Sequence, residues 1–312
     1  MLIITGQTAA GKTQLALQYA QKYNGELINC DSRQIYQDLD LVTGKDLEEK
    51  KFYRLEQINQ FQIGYYLLSY AKTPIPVWLY DVVAINHYFS SFDYRQLALK
   101  VITNILARKK TPILIGGSYL YLYHLLYQIN TDQIPPNFAL RKTLVSLPLK
   151  ILQQKLFNLD KELFTRLNTS DRQNPQRLIR KIEIAQYFQK KQQKSPGGKL
   201  NFKLADDIKS QELKIIGLKI SNKQLLKEKI KKRVEKRLAL GAVEEVKKIL
   251  AMGFKPDAPG LKTIGCQTII KFLKKEINQS ELINEWVNKE MQYAKRQLTF
   301  MKKDPHIVFI EA

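Results

Sequence analysis

The chain has 312 residues, 44% hydrophobic and 26% charged, with a formal net charge of +22, a balance typical of globular proteins that bury a substantial core. It has no run of about 18 apolar residues and no signal-peptide pattern at its start, so we expect neither a membrane span nor a secreted precursor. Its two cysteines are far apart and its three histidines scattered, which disfavours a disulfide framework or a metal cluster and fits a reducing cytoplasm.

Short apolar runs alternate with helical stretches over the first 120 residues. Helical periodicity occupies residues 12–20 and 94–109. The apolar runs have the length of buried parallel strands and lie at residues 2–5, 27–30, 76–83 and 112–117. Because such alternation is typical of an α/β sheet, we predict a doubly wound, P-loop NTPase-like parallel core that begins with residues 1–121.

The pattern changes near residue 122. Helical periodicity continues to about residue 193, and the composition of residues 194–199 predicts a loop. Residues 212–220 predict one more strand, which is followed by a long helix with apolar residues at every fourth position: Leu226, Ile230, Val234 and Leu238. We therefore predict a helical insertion over residues 122–205, followed by the remainder of the core with C-terminal helices over residues 206–312.

The positive charge is unevenly distributed. Residues 1–100 hold ten basic and ten acidic groups, whereas residues 101–312 hold 41 basic and 19 acidic groups. Such an excess indicates a polyanionic partner such as RNA or DNA. The alternative is a lysine-rich compositional bias without any partner.

The first chemical motif is the phosphate-loop pattern G-x-x-x-x-G-K-[ST] between the first strand and the first helix. It consists of Gly6, Gln7, Thr8, Ala9, Ala10, Gly11, Lys12 and Thr13. In this pattern backbone N–H groups surround phosphate oxygens, the lysine adds a charge, and the hydroxyl of Thr13 faces Mg²⁺. The motif by itself does not identify the compound that carries the phosphates.

Two acidic residues follow predicted strands. Asp31 comes directly after the second strand, at the sheet edge where α/β proteins bind ligands. The alternative for Asp31 is a cap or turn residue. Asp81 could hold Mg²⁺ as a Walker-B acid does, or equally cap the end of a strand.

The order of these motifs resembles the tRNA dimethylallyltransferases, also called tRNA isopentenyltransferases, of the bacterial type. The resemblance rests on five motifs spanning residues 6 to 300: GQTAAGKT, DSRQIY, GGSYLY, NPQRLIRKIE and YAKRQLTF. It implies transfer of a dimethylallyl group from dimethylallyl diphosphate to N6 of the adenosine 3′ to the tRNA anticodon.

The resemblance also implies roles for individual residues in the reaction. The phosphate loop would hold the diphosphate of the prenyl donor, and Thr13 with Mg²⁺ would stabilise the leaving diphosphate. Asp31 would be the base near N6. Arg237 matches the arginine expected to contact the diphosphate, and Arg233 lies one turn earlier. The alternative for both arginines is a solvated helix face.

The acceptor adenosine would have to flip out of its stack, and the basic helical insertion would bind the anticodon stem-loop of a monomeric cytoplasmic enzyme. The residues that the resemblance assigns to tRNA binding are Asp31, Ser32, Arg33, Gln34, Ser118, Asn174, Pro175, Gln176, Arg177, Leu178, Lys262, Thr263, Ile264, Gly265, Cys266 and Gln267.

The chain departs from the family pattern at several positions. Gln7 replaces a proline of the phosphate loop, and Ala10 replaces a common serine. Tyr119 stands where glycine is common, and Cys266 where the family has tyrosine. The family's T-A-K-P reads TGKD at residues 43–46. These departures affect the expected tRNA contacts more than the chemistry.

Other functions remain open from the sequence alone. A P-loop kinase of small molecules or nucleotides would explain the phosphate loop and Asp31, but not the basic insertion. A prenyltransferase acting on free adenosine nucleotides would not need so much positive charge. A non-catalytic RNA-binding protein would not need Lys12, Thr13 and Asp31.

Overall fold

The computed structural model describes residues 1–47, 51–70, 73–129, 131, 134, 136–192, 200–209 and 212–312. The chain divides into two compact units, Met1–Leu126 with Ala205–Ala312, and Tyr127–Leu204. Residues 122–126 and residue 205 of the predicted helical insertion thus belong to the first unit. The loop predicted at residues 194–199 lies outside the described residues.

The first unit is built on an eight-stranded sheet with the order β3-β4-β5-β2-β6-β1-β7-β8. Its strands are β1 Leu2–Gly6, β2 Gly25–Asn29, β3 Tyr53–Ile58, β4 Phe61–Tyr70, β5 Thr73–Trp78, β6 Thr111–Gly116, β7 Lys214–Lys219 and β8 Ile307–Glu311. Pairing is parallel from β5 to β8 and antiparallel between β3, β4 and β5. The predicted parallel core is confirmed by five of these strands.

Three strands were not predicted from the sequence. The hairpin β3–β4 widens the sheet with antiparallel strands, and β8 forms the opposite edge. The residues of β3 are exposed or half-buried, and the strand lacks the continuous apolar run that marks a buried parallel strand. The prediction of a strand over residues 76–83 was too long, because the backbone takes positive φ at Leu79 (63°) and Asp81 (53°).

The described helices, in chain order, are α1 Lys12–Lys22, α2 Ser91–Ala107, α3 Tyr119–Leu126, α4 Phe138–Leu144, α5 Leu149–Leu159, α6 Lys161–Arg166, α7 Thr169–Arg172, α8 Pro175–Lys190, α9 Asp206–Lys209, α10 Lys223–Ala239, α11 Ala242–Ala251, α12 Ile264–Leu273 and α13 Gln279–Met301. The apolar positions Leu226, Ile230 and Val234 of α10 are buried. Gly241 separates α10 from α11. Its φ of 100° lies in the left-handed region, which favours glycine.

The core of the first unit lies around the central strands. Every residue of β1 and β2 is buried, as expected for parallel strands with both faces covered. The second unit has a core of its own, to which α5 contributes Leu152 and Leu156 and α8 contributes Leu178, Ile179, Ile182 and Ala185. None of the described helices combines the length and the apolar character that crossing a membrane requires.

Candidate active site at the phosphate loop

The phosphate loop connects the buried end of β1 to the start of α1. Gly6 has φ of 150°, and a Cβ there would lie 2.4 Å from the carbonyl oxygen of Leu218. Gly11 has φ of 80° and occupies the N-cap position of α1. These two glycines allow the backbone to turn tightly, so the loop ends at a helix N-terminus, where N–H groups favour anions.

Gln7 stands where the family pattern has proline, and it forms two hydrogen bonds that hold the phosphate loop in place. The side chain of Gln7 is buried, and its Oε1 accepts a hydrogen bond from the Ile220 N–H at 2.7 Å. The N–H of Gln7, which proline would lack, donates to the carbonyl of Leu218 at 3.1 Å. Gln7 therefore fixes the phosphate loop to the end of β7.

Lys12 lies against the backbone of the loop. Its Nζ donates to the carbonyl oxygens of Gly6 at 3.1 Å and of Gln7 at 2.7 Å. Desolvation lowers the pKa of Lys12 to about 8, and the nearby positive charge of Arg233 lowers it further. The ammonium group is therefore poorly compensated without an anion, which favours binding of phosphate.

Two arginines of α10 bring further positive charge to the loop. Arg233 donates from Nη1 to the hydroxyl of Thr8 at 3.0 Å. Arg237 donates from Nη1 and Nη2 to the carbonyls of Val42 and Thr43, both at 3.3 Å. Burial lowers the pKa of Arg237 to about 10, and Arg233 contributes in the same direction. The arginines that the sequence left as a possible solvated face thus both line the cavity at the phosphate loop.

A glutamine from the last helix completes this arrangement. Gln297 is buried, its Oε1 accepts from the Thr8 N–H at 2.9 Å, and its Nε2 donates to the carbonyl of Gly117 at 2.9 Å. A Cβ on Gly117 would lie 2.1 Å from that Nε2. A side chain at position 117 would therefore displace the amide group of Gln297 from its present position.

Asp31 lies at the carboxyl end of β2. Its N–H donates to Asn29 Oδ1 at 3.0 Å, and its Oδ1 accepts from the Arg33 N–H at 2.8 Å. Asp31 thus stabilises a turn, as the structural alternative predicted. It also lines the cavity at the phosphate loop, so its carboxylate is available to a ligand there.

These groups surround one cavity of about 610 Å³ in the first unit. Its lining includes Thr8, Ala9, Ala10, Gly11, Lys12, Thr13, Asp31, Arg33, Gln34, Val42, Thr43, Gly44, Asp46, Tyr80, Arg233, Arg237, Lys262, Thr263, Ile264, Gly265, Glu290, Tyr293, Arg296 and Gln297. The structure therefore brings together segments that are almost 300 residues apart in the chain.

The cavity also contains residues to which no role was assigned from the sequence. Glu290 and Tyr293 come from α13, and Asp46 and Tyr80 from loops beside the sheet. Burial raises the pKa of the Tyr293 hydroxyl. The helical spacing of Glu290, Tyr293 and Gln297 was the available signal, because residues three or four positions apart share one helix face.

Some predicted site residues lie outside the cavity lining. The hydroxyl of Ser118 accepts from the Ser32 N–H at 2.8 Å, so these two residues support the turn after β2. Gln267 donates to the carbonyls of Pro256 and Leu261. Cys266 is fully buried, which for this residue favours packing over a tRNA contact.

Asp81 has a structural role rather than a position at the phosphate loop. Its carboxylate forms a buried ion pair with Lys45 and accepts a hydrogen bond from the hydroxyl of Tyr66 at 2.6 Å. Lys45 is also bonded to Asp40. This corrects the Walker-B interpretation, because the carboxylate of Asp81 is already bound and is absent from the cavity lining.

The predicted segment Asn174–Leu178 lies in the second unit, at the start of α8. Asn174 caps the helix by accepting from the Arg177 N–H, and Pro175 occupies the first turn. Pro175, Gln176 and Arg177 are exposed. Leu178 is fully buried in the core of this unit, so the tRNA contact assigned to it is better explained as packing.

Comparison with known proteins gives consistent matches. The family model described as IPP transferase matches residues 34–304. The tRNA dimethylallyltransferase 2 of Citrifermentans bemidjiense is 31% identical, with 97% of this chain and 86% of the relative covered. The tRNA dimethylallyltransferase of Clostridioides difficile is 32% identical, with 97% and 88% covered. The solved tRNA isopentenylpyrophosphate transferase of Bacillus halodurans has a TM-score of 0.65 and 26% identity, with 99% and 89% covered.

Proposed function

Because the chain belongs to the IPP transferase family, we infer that it is a tRNA dimethylallyltransferase, which transfers a dimethylallyl group to tRNA. The relatives that bear this name match 97% of this chain and 86% and 88% of their own length. Within the structure, the observation that carries the function is the convergence of Lys12, Arg233, Arg237 and Asp31 on one cavity.

The cationic part of the cavity holds the diphosphate of the donor, dimethylallyl diphosphate. The backbone N–H groups of the phosphate loop and Lys12 bind its oxygens. Arg233 and Arg237 approach from α10, on the side of Thr8 and Val42. These charges stabilise the negative charge that develops on the diphosphate as it leaves, and this is where catalysis gains most.

The acceptor is N6 of the adenosine 3′ to the anticodon, flipped into the cavity. In the reaction N6 forms a bond to C1 of the dimethylallyl group while the bond from C1 to the diphosphate oxygen breaks. The bonding electrons leave with the diphosphate, and the N6 proton passes to the carboxylate of Asp31. The position of Asp31 in the same cavity as Lys12 supports this role.

Mg²⁺ fits the groups at the end of the phosphate loop. Thr13 is exposed in the cavity lining, and Asp31 lines the same space. Mg²⁺ prefers oxygen ligands and commonly takes one or two from the protein, with phosphate oxygens and water completing its shell. The hydroxyl of Thr13 would hold the ion, which would neutralise charge on the departing diphosphate.

The tRNA contacts extend over both units. Arg33, Gln34 and residues 262–265 bind near the cavity, and residues 174–177 bind from the second unit. Residues 151–250 hold 25 basic and 11 acidic groups, which supports binding of the anticodon stem-loop by charge. The enzyme acts as a monomer in the cytoplasm, where tRNA is available.

A direct assay tests the function. The protein is incubated with Mg²⁺, dimethylallyl diphosphate and unmodified tRNA with an adenosine 3′ to the anticodon, and the digested tRNA is analysed by mass spectrometry. The expected result is N6-isopentenyladenosine at that one position, with no product when ATP replaces the donor. Consumption of ATP without prenylated product would instead support a kinase.

A further inference from the structure

Residues 40–46, here called the 40–46 loop, form one wall of the cavity. Val42, Thr43, Gly44 and Asp46 of this loop line the cavity. The side chains of two consecutive helices, α10 and α11, hold the loop, and each binds a different kind of backbone group. This arrangement lies beside the donor site, but one of its residues, Glu245, does not line the cavity.

Glu245 of α11 binds the N–H groups of the loop. Its Oε1 accepts from Asp40 and Leu41, both at 2.8 Å, and its Oε2 accepts from Val42 at 2.9 Å. Three successive backbone N–H groups thus converge on one carboxylate. Such a concave arrangement of N–H groups favours an anion, so the three hydrogen bonds to Glu245 stabilise the conformation of residues 40–42.

Arg237 of α10 binds the carbonyl groups of the same loop, those of Val42 and Thr43. Gly44, with φ of 68°, allows this contact because a Cβ there would lie 2.2 Å from Nη2 of Arg237. Val42 is shared between the two helices, since its N–H faces Glu245 and its carbonyl faces Arg237. The loop therefore transmits the position of Glu245 to the guanidinium group.

We propose that Glu245 is a positioning residue that orients Arg237 toward the diphosphate by fixing the 40–46 loop between α10 and α11. The proposal rests on the diphosphate site of the proposed function. Glu245 itself is absent from the cavity lining. Replacing Glu245 should weaken diphosphate binding and slow the departure of the diphosphate, and it should do so only when Arg237 is present.

The test is a double-mutant cycle with inorganic pyrophosphate and Mg²⁺ as the ligand. Binding is measured by calorimetry for the wild type, Glu245→Gln, Arg237→Ala and the double variant. A charge-assisted hydrogen bond accounts for about ten-fold or more in affinity, so we expect Glu245→Gln to weaken binding about ten-fold. In the Arg237→Ala background we expect its effect to fall below about two-fold, because the two residues act as one unit.

The matched control is Glu244→Gln, which changes the exposed neighbouring residue of α11 and should leave binding unchanged. In the transfer assay Glu245→Gln should lower kcat/KM for the donor and leave the KM for tRNA within about three-fold, because the change weakens the diphosphate site and not the tRNA contacts. A general loosening of the loop would also raise the KM for tRNA, because Gln34 donates to the carbonyl of Gly44 at 2.7 Å.

Gly44→Ala gives an independent variant if Glu245→Gln does not fold. It displaces the guanidinium group directly and should reproduce the loss of pyrophosphate binding. Equal effects of Glu245→Gln with and without Arg237, or unchanged binding in the single variant, would overturn the proposal. Pyrophosphate binding does not require tRNA, so a wild type that binds it but transfers no dimethylallyl group would contradict the proposed function and not this inference.

Discussion

The side chain of Gln297 accepts a hydrogen bond from the backbone N–H of Thr8 at 2.9 Å, across 289 residues of sequence. The same side chain donates to the carbonyl of Gly117. The last long helix thus holds the phosphate loop and the turn after β6 together. The YAKRQ motif near the C-terminus therefore has a physical role in shaping the donor site.

Replacing Gln297 by alanine should impair both stability and donor binding. The change leaves the half-buried N–H of Thr8 and the buried carbonyl of Gly117 without their partner, and an unsatisfied buried group costs about 1–3 kcal/mol. We expect a lower free energy of unfolding in urea and weaker pyrophosphate binding by calorimetry. Gln292→Ala, at an exposed position of the same helix, is the control and should behave as the wild type.

Asp31→Asn should abolish transfer and leave tRNA affinity within about three-fold, because a base acts in the transition state whereas phosphate contacts dominate RNA binding. The amide oxygen of asparagine can still accept from the N–H of Arg33, so the turn is retained. Single-turnover transfer and filter binding measure the two effects. A variant that transfers at the wild-type rate would disprove the assignment of Asp31 as the base.

The pKa of Lys12, lowered to about 8 by desolvation, predicts a pH dependence of donor binding. The ammonium group is charged below this pH and becomes neutral as the pH rises through it, so affinity for pyrophosphate should decrease above pH 8. The expected loss between pH 7 and pH 9 is up to about ten-fold.

Lys12→Arg provides the comparison for that series, because arginine stays charged over this range. Ionisation of pyrophosphate itself affects both proteins equally, so it cancels between them. The difference between the two calorimetric pH profiles therefore reports on Lys12. Parallel profiles would show that the decrease does not come from this lysine.

Tyr119, which departs from the family's common glycine, has a structural role. It is buried, its hydroxyl is hydrogen-bonded to Asp304, and its ring packs edge-on against Phe300 at 4.9 Å between centroids. Tyr119→Phe should lower the free energy of unfolding by about 1–3 kcal/mol because the buried carboxylate loses a donor. Tyr119 is absent from the cavity lining, so kcat should stay unchanged. A large loss of kcat without destabilisation would contradict this role.

The sequence by itself determined the parallel α/β core, the phosphate loop and the family. Buried parallel strands require continuous apolar runs, and a phosphate loop requires glycine and lysine at fixed spacing. Both features can therefore be identified from short segments of sequence. The hairpin β3–β4 was missed because its outer strand has no buried residue and no continuous apolar run. Local sequence pattern therefore identified the core strands but not the edges of the sheet.

Only the tertiary structure decided how distant groups meet. Asp81 and Asp31 both follow strands in the sequence, yet Asp81 pairs with Lys45 whereas Asp31 lines the cavity. The hydrogen bonds of Glu245 and Arg237 to the 40–46 loop could not be predicted from the sequence either, because about 200 residues separate these side chains from Val42. Which polar side chain finds which backbone group depends on helix packing, and no local pattern encodes it.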